Sequence, residues 1–324
     1  MPKPRKEIVC LETTPYYHCT SRCVRQAFLC GFDSLTNKCY EHRRQWIEDR
    51  ILWLGTIFTI DVCAYAVMSN HHHVVLHINL AESEQLSPQQ ICTRWHQLFK
   101  GTPLTQRFAR GEQFSSSEAQ AVSIKLEQYR LQLRDISWFM RLLNEPIARK
   151  ANAEDQCTGR FWESRFKSQA LLDESALVAC MAYVDLNPIR AKIAAVPEES
   201  DHTSIKKRVA AIKKTTGKPL PLAKFVGNPR ENIPAGLPFH FKDYLELIDW
   251  TGRIIREDKP GAITARTPPI IDRLAITPHQ WQMLTTQFES QFKSLVGQQE
   301  TLKQATKTMG YQRTPGLKGC QLLL

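Results

Sequence analysis

The sequence predicts an α+β protein with a mainly helical C-terminal region. Two apolar runs of strand length, residues 60–68 and 73–78, are separated by the turn signal Ser69-Asn70 and indicate a β-hairpin. A helical repeat of apolar residues precedes them over residues 41–58. Strands and helices then alternate up to about residue 200 with few long connections, which is typical of a sheet covered by helices.

The elements around the hairpin follow from local patterns. Residues 8–11 and 16–21 are rich in β-prone side chains and predict short strands. Residues 41–58 predict a helix because their apolar positions recur at spacings of three and four. These positions are Trp46, Ile47, Ile51, Leu54 and Phe58.

The middle of the chain predicts helices. Residues 80–125 are polar and mixed, and we interpret them as an insertion or connecting segment built around short helices. Residues 127–150 predict a helix that Pro146 kinks or divides. Residues 172–187 predict another helix, with Asp173 as its N-cap. Pro188 disfavours the helical conformation at Asn187, so this helix should end there.

The character of the sequence changes near residue 200, so we predict two regions, 1–200 and 201–324. Residues 206–214 (KKRVAAIKK) predict a basic helix, and residues 240–310 predict further helices. A linker rich in proline lies between them. Its prolines are Pro219, Pro221, Pro229, Pro234 and Pro238.

Composition limits the class of protein. The formal net charge of +11 favours a polyanionic partner such as DNA or RNA, although charge alone is equally consistent with a basic protein that has none. No apolar run is long enough to cross a bilayer, and no apolar stretch follows the N-terminal charges, so we expect a cytoplasmic protein that binds no membrane. The ten cysteines form no Cys-x-x-Cys pair, which favours buried thiols over disulfides or a zinc site.

Three consecutive histidines open the second strand of the hairpin. Because side chains alternate along a strand, His71 and His73 should point to one face and His72 to the other. Histidine is the commonest metal ligand, so the pair could share one ion. Taken alone, such a pair is more often a feature of the surface or the core.

Tyr183 and Asn187 lie four residues apart on a predicted helix, so their side chains should share one face. An amide oxygen can complete a metal site, and a phenolate can attack a phosphorus atom held by that metal. A helical tyrosine by itself is more often a core residue with a hydrogen-bonded hydroxyl.

Residues 159–167 (GRFWESRFK) interleave aromatic and cationic side chains. Such a pattern suits single-stranded nucleic acid, because bases stack on rings while phosphates pair with cations. An amphipathic strand with a solvated basic edge explains the same pattern equally well.

Four motifs occur in one order and together resemble a known family. They are YHCTSR at residues 17–22, MSNHHH at 68–73, RFWESRFKS at 160–168 and YVDLNPIRA at 183–191. This order is similar to that of the single-tyrosine transposases of the HUH endonuclease superfamily, and more closely the REP-associated tyrosine transposases. The resemblance covers roughly residues 8–195, and the combination is far more specific than any single motif.

The resemblance implies a ferredoxin-like antiparallel sheet with helices on one side, and a catalytic domain within residues 1–200. It implies that His71 and His73 are the histidine–hydrophobe–histidine pair, although His72 stands at a middle position that is usually apolar in relatives. Tyr183 matches the nucleophile, and Asn187 matches the third metal ligand.

His18 and Arg22 match the family's first-strand motif, and the resemblance does not give the role of that motif.

The implied activity is metal-dependent cleavage and rejoining of single-stranded DNA through a 5′-phosphotyrosine, at or near a hairpin, with Mg²⁺ or Mn²⁺ as cofactor. The protein would act as a monomer or a homodimer, with its tyrosine and histidines paired within one chain or between two. The candidate DNA contacts are Arg165, Lys167, Arg190, Arg22 and Trp162.

Three alternatives remain open on the sequence. They are a DNA-binding protein without catalysis, a metal-dependent hydrolase that uses water, and a toxin-like or regulatory domain whose histidines only fill a core.

Overall fold

The computed structural model of the protein describes residues 9–24, 29–33, 37–213, 220–228, 236–255 and 267–323. Four groups of predictions fall partly outside these ranges. They concern Ile8 of the first β-prone segment, Lys214 at the end of the basic helix, the linker prolines Pro219, Pro229 and Pro234, and residues 256–266 of the C-terminal helical region.

A five-stranded sheet organises the described residues, with the strand order β4-β5-β1-β6-β7. Neighbouring strands from β4 to β6 are antiparallel, whereas β7 pairs parallel with β6, so the sheet is mixed. Two short strands, β2 and β3, form a separate antiparallel pair. The strands are β1 (Tyr16–Arg22), β2 (Phe32–Asp33), β3 (Lys38–Cys39), β4 (Ile60–Val67), β5 (His71–Ile78), β6 (Lys167–Leu171) and β7 (Leu295–Val296).

The predicted hairpin is confirmed as β4 and β5. Its turn closes with a hydrogen bond from the backbone N–H of Met68 to the carbonyl of His71 (2.8 Å). β5 begins at His71, two residues earlier than the apolar run predicts, so all three histidines lie on the strand. Of the two β-prone segments near the N-terminus, residues 16–21 form β1, whereas residues 9–11 are not in a strand.

Fourteen helices occur in the described part of the chain. They are α1 (His42–Ile57), α2 (Leu80–Gln85), α3 (Pro88–Leu98), α4 (Pro103–Ala109), α5 (Ser116–Leu133), α6 (Ile136–Glu154), α7 (Glu174–Asp185), α8 (Asn187–Arg190), α9 (Ser204–Lys213), α10 (Phe241–Ile255), α11 (Pro269–Arg273), α12 (Pro278–Gln291), α13 (Gln299–Thr308) and α14 (Leu317–Cys320). None of them combines the length and apolar character that a bilayer-spanning helix requires.

Local capping explains how residues 80–125 fold into helices. Ser87, Thr102 and Ser115 each cap a helix, and each forms a capping box with the residue three positions later. α3 and α4 also carry proline in the first turn, where its missing N–H costs no helical hydrogen bond. That these residues are an insertion stays a prediction.

The helical region predicted over residues 127–150 is divided, but not at Pro146. α5 ends at Leu133 and α6 begins at Ile136, where the Asp135 carboxylate accepts from the N–H of Ser137. Pro146 lies inside α6, which continues through it. The N-cap at Asp135, rather than the proline, therefore sets the boundary.

The predicted cap of α7 is confirmed, because the Asp173 carboxylate accepts from the N–H of Ala176 (2.9 Å). α7 ends at Asp185, two residues earlier than predicted, and Asn187 begins the short helix α8. Pro188 lies in the first turn of α8, where its ring is tolerated and its missing N–H has no helical partner to lose.

Helices cover both faces of the sheet, which corrects the expectation of helices on one side. Tyr17 and Cys19 on β1 face one core, which contains residues of α1 and α6. The opposite face packs on α7. Because successive strand residues alternate between faces, His18 and Thr20 point toward α7.

The region after residue 200 shares the second core. α12 packs on α7, α10 packs on α12, and β7 extends the sheet. Trp281 and Phe288 of α12 are fully buried in the same cluster as Val178 of α7. The division into regions 1–200 and 201–324 stays a prediction. Helices from both regions pack together in this core.

A buried carboxylate links three elements of the fold. Glu48 on α1 accepts from the hydroxyl of Tyr65 on β4 (2.7 Å) and lies 3.3 Å from both Nδ1 of His202 and Nζ of Lys207. Burial raises the pKa of Glu48, but the hydrogen bonds and the positive charge of Lys207 outweigh that effect, so the pKa lies below its usual range.

We expect Glu48→Gln to lower the free energy of unfolding at pH 7 by about 2 kcal/mol, because the negative charge is lost and a donating amide group replaces one of the two acceptor oxygens. A depressed carboxyl pKa stabilises the folded state above the unfolded value near ~4.3 and ceases to do so as pH falls through the folded value. The difference between wild type and variant should therefore shrink in acid. Equilibrium denaturation at pH 7 and about pH 4 measures it, with the exposed Glu300→Gln as control.

Candidate active site

Three adjacent strands place polar side chains on the face that packs on α7. His18 and Thr20 come from β1, His73 from β5 and Gln169 from β6. The register sets Thr20 opposite His73 and His18 opposite Gln169. Because the strands lie side by side, residues far apart in sequence meet here.

The predicted alternation of the histidines is present. The rings of His71 and His73 lie edge to face with centroids 4.7 Å apart. His72 points to the other face, where its Nε2 lies 2.9 Å from Oδ1 of Asn144 and its ring meets the edge of Trp162. The pair predicted to share an ion is therefore brought together, and His72 is kept apart from it.

A compact polar cluster surrounds His73. Nδ1 of His73 lies 3.0 Å from Nε2 of His18, 3.3 Å from Oγ1 of Thr20 and 3.6 Å from Oε1 of Glu289. The hydroxyl of Thr20 donates to the same Glu289 oxygen (3.1 Å). Ligand atoms of His18, His73 and Glu289 all lie within 4.8 Å of one another, close enough to hold a metal ion.

Glu289 is a residue of the site that no pattern in the sequence predicts. It lies on α12, 269 residues from Thr20, in a polar stretch of a helix whose pattern carries no sign of a site. Gln169 and Thr20 were also missed. Thr20 lies two residues after His18 on the same strand, so strand alternation was the one local signal that pointed to it.

Burial keeps the histidines of this face neutral. It lowers the pKa of His18, and it lowers the pKa of His73 well below the usual value, with further repulsion from His71. Burial and the charge of Arg22 lower the pKa of His71 to about 3. A neutral imidazole keeps one lone pair, which is the state that binds metal.

One nitrogen of His73 forms no hydrogen bond with any residue that the structure describes. Its Nε2 is buried and forms no hydrogen bond within the described protein. Burying a ring nitrogen without a hydrogen-bond partner lowers the stability of the folded state by about 1–3 kcal/mol. A bound cation would satisfy it.

Tyr183 lies beside the histidine cluster. Its ring on α7 meets His73 edge to face, with centroids 5.8 Å apart, and lies 6.5 Å from the ring of His18. Phe288 of α12 covers it, with ring centroids 5.5 Å apart, and the side chain is 9% exposed. Burial raises the pKa of Tyr183 to about 12, whereas the charge of Arg190 acts in the opposite direction.

The Arg190 guanidinium lies over the ring of Tyr183, the candidate nucleophile. Its guanidinium carbon is 3.8 Å from the centroid of the Tyr183 ring. Its Nη1 donates to the backbone carbonyls of Tyr183 (2.6 Å) and of Thr285 (2.9 Å). Arg190 therefore joins α8, α7 and α12, and its role as a DNA contact stays a prediction.

Asn187 is buried at the first residue of α8 rather than one turn further along the helix of Tyr183. Within the described ranges, no hydrogen bond joins its side chain to His71 or His73. Its role as the third metal ligand therefore stays a prediction.

A cleft of about 1390 Å³ opens next to the cluster, and His18, Thr20 and Glu289 form part of its wall. Two of the predicted DNA contacts, Arg165 and Lys167, line it and are exposed. Lys293 and Arg313 from the C-terminal region add further positive charge. The cleft is wide and basic, which suits an extended anion.

Like Arg190, the predicted DNA contacts Arg22 and Trp162 are not among the residues that line the cleft. Arg22 ends β1 and pairs in register with His71. Trp162 packs on the opposite side of the sheet beside His72, and its indole N–H donates to the carbonyl of Asn144 (2.9 Å). The structure does not bring Trp162 to the cleft, so base stacking on it stays a prediction.

Comparison with known proteins gives a distant structural likeness. No protein-family model and no curated protein matches the chain. One solved structure, described as "Structure of the REP associates tyrosine transposase bound to a REP hairpin", matches with a TM-score of 0.38 and 11% identity, covering 73% of this chain and 97% of that chain. At this TM-score and identity the likeness does not establish a shared fold or a shared function.

We expect Arg190→Met to destabilise the protein by about 1–3 kcal/mol, because two buried carbonyls lose a charged donor. Amide hydrogen exchange in α12 should become faster, since one of those carbonyls belongs to Thr285. Arg141→Met is the control, because the Arg141 side chain is 62% exposed and its contacts with Glu145 and with the Trp138 ring stay within its own helix. Equal stability of the two variants would show that Arg190 does not hold α12 in place.

Proposed function

We propose that this chain is a transposase-like enzyme that cleaves single-stranded DNA, at or near a hairpin, by attack of Tyr183 on a phosphodiester. The observation that carries the proposal is the position of Tyr183, whose ring lies against the buried, neutral His73 and under the Arg190 guanidinium. Here a phenol can supply a nucleophile, imidazole nitrogens can bind a metal ion, and a guanidinium can stabilise negative charge, and these functions together can support phosphoryl transfer.

We propose further that the four antiparallel strands form a ferredoxin-like core. Two observations support this interpretation. The main elements follow the ferredoxin-like order β-α-β-β-α-β along the chain, as β1, α1, β4, β5, α6 and β6. In the sheet, the four strands lie in the order β4-β5-β1-β6. β7 would then be an addition that the C-terminal region makes to the edge of that core.

The metal site is proposed at His71, His73 and Asn187. The His73 side chain fits a divalent ion, because its Nε2 is buried, neutral and without a hydrogen-bond partner among the described residues. Two imidazoles and one amide oxygen suit Mn²⁺ at least as well as Mg²⁺. When bound, the ion would polarise a phosphate oxygen and neutralise charge that develops during the reaction.

The chain's own residues would carry the bond changes. The Tyr183 oxygen attacks phosphorus and loses its proton, and the bond from phosphorus to the 3′ oxygen breaks. The products are a 5′-phosphotyrosine and a 3′ hydroxyl, which takes up a proton. Arg190 favours the phenolate, because its positive charge opposes the effect of burial on the pKa of Tyr183.

The basic cleft is the proposed path of the DNA strand. Arg165 and Lys167 line it together with His18 and Thr20, and Lys167 pairs with Thr20 in the sheet, so a strand lying there would pass beside the cluster. Phosphates would contact these cations, and such contacts position a strand without reading its sequence.

We expect Tyr183→Phe to abolish covalent attachment of labelled single-stranded oligonucleotides from DNA flanking the gene, assayed with Mn²⁺ or Mg²⁺ on a denaturing protein gel. The variant should still fold, because its ring contacts with His73 and Phe288 do not use the hydroxyl. Tyr129→Phe, which changes a buried tyrosine stacked on Trp95, is the matched control and should keep the adduct. A chelated sample should also lack it.

The other outcomes point to the rival functions. Cleavage that survives Tyr183→Phe would show a hydrolase that uses water. DNA binding without adduct or cleavage, on oligonucleotides that include the flanking hairpins, would show a binding protein without catalysis.

We expect the double variant Arg165→Ala, Lys167→Ala to bind single-stranded DNA more weakly and with a smaller salt dependence. The slope of log K against log salt should fall by about 0.7 for each phosphate that the variant no longer neutralises. Fluorescence anisotropy over a salt series measures both quantities. The control is Arg141→Ala, Arg149→Ala, which removes two exposed arginines of α6 that pair with Glu145. Equal effects of the two double variants would argue that the cleft does not hold the strand.

A further inference from the structure

His18 takes no part in the chemistry proposed above, yet it lies between Gln169 and His73 in a chain of hydrogen bonds. We propose that Gln169 and His18 are positioning residues that keep the proton of His73 on Nδ1, so that Nε2 offers its lone pair to a divalent cation. The inference rests on the proposed metal site, because it specifies which atom of His73 binds the ion.

The chain starts at Gln169 on β6. Its amide nitrogen donates to the carbonyl of Phe292 (2.9 Å), and a carbonyl can only accept. The amide orientation is thereby determined, and Oε1 must be the atom that lies 2.7 Å from Nδ1 of His18. Because Oε1 can only accept, Nδ1 of His18 carries a proton.

The next link is His18. The side chain is 1% exposed, and burial of this kind disfavours the imidazolium form. A neutral ring with a proton on Nδ1 has a lone pair on Nε2. That lone pair lies 3.0 Å from Nδ1 of His73, and two ring nitrogens at this distance need a proton between them. The proton therefore belongs to Nδ1 of His73.

Thr20 and Glu289 favour the same arrangement. The Thr20 hydroxyl donates its only proton to Oε1 of Glu289, so its oxygen is left to accept. The Glu289 carboxylate oxygen lies 3.6 Å from Nδ1 of His73, where a negative charge favours a proton.

The consequence appears at the other edge of the His73 ring. A neutral imidazole with a proton on Nδ1 has an acceptor at Nε2, the atom that is buried and without a partner in the described residues. A cation there would satisfy it, while Nδ1 donates to a second residue that holds the ring in place. Histidine ligands are commonly oriented by such a second hydrogen bond.

A rival arrangement puts the cation between His18, His73 and Glu289, whose ligand atoms lie within 4.8 Å of one another. It would use Nδ1 of His73 as the ligand and leave a proton on Nε2. That buried N–H would have no acceptor in the described protein, which costs about 1–3 kcal/mol. The hydrogen-bond pattern therefore favours the ion at Nε2.

The first experiment measures the tautomer directly in the full chain without metal. In ¹⁵N-histidine NMR, with His73 assigned through His73→Asn, we expect Nδ1 protonated and Nε2 unprotonated. A proton on Nε2 would overturn the proposal and support the rival ion position. This result needs no DNA and no activity, so it is independent of whether Tyr183 forms an adduct.

The second experiment tests the relay with two substitutions at one position. Gln169→Leu removes the acceptor for His18, and we expect it to lower the population of the Nδ1–H tautomer of His73. It should also weaken Mn²⁺ binding, measured by calorimetry, by about 10- to 100-fold. Gln169→Glu keeps an acceptor and should restore both quantities toward wild type. Unchanged tautomer and affinity in folded Gln169→Leu would overturn the relay.

Discussion

The contact between Nε2 of His18 and Nδ1 of His73 is the interaction on which the site depends. Both side chains are buried, so the two nitrogens that face each other are partnered by protein groups rather than by bulk water. The two strands that carry them are hydrogen-bonded neighbours, with Thr20 opposite His73 in the register. If β5 shifted by one residue against β1, His73 would point to the opposite face of the sheet and would no longer contact His18.

The C-terminal region takes part in the site through three contacts from one stretch of chain. Phe288 covers Tyr183, Glu289 accepts from Thr20, and the carbonyl of Phe292 orients Gln169. These contacts come from α12 and the residue that follows it, which pack on α7 across the second core. The site is therefore built jointly by the motif-bearing strands and a helix that lies outside every motif.

Burial and the nearby positive charge of Arg190 shift the pKa of Tyr183 in opposite directions. The same burial that places its ring against His73 raises its pKa to about 12 and so disfavours the phenolate. Arg190 offsets part of this effect because its charge lies over the ring. Phe288 packs on the same ring, and the Tyr183 side chain is 9% exposed. The proposed nucleophile therefore depends on the packing of α12, because Phe288 of that helix contacts its ring.

The sequence by itself determined the features that repeat locally. Strand alternation predicted His71 and His73 on one face with His72 opposite, and capping chemistry predicted Asp173 at the start of α7. Only the tertiary structure decided which distant groups join them. His18 meets Gln169 over 151 residues, and Thr20 meets Glu289 over 269. The physical reason is that such contacts arise from strand pairing and helix docking, which leave no periodic pattern in the chain.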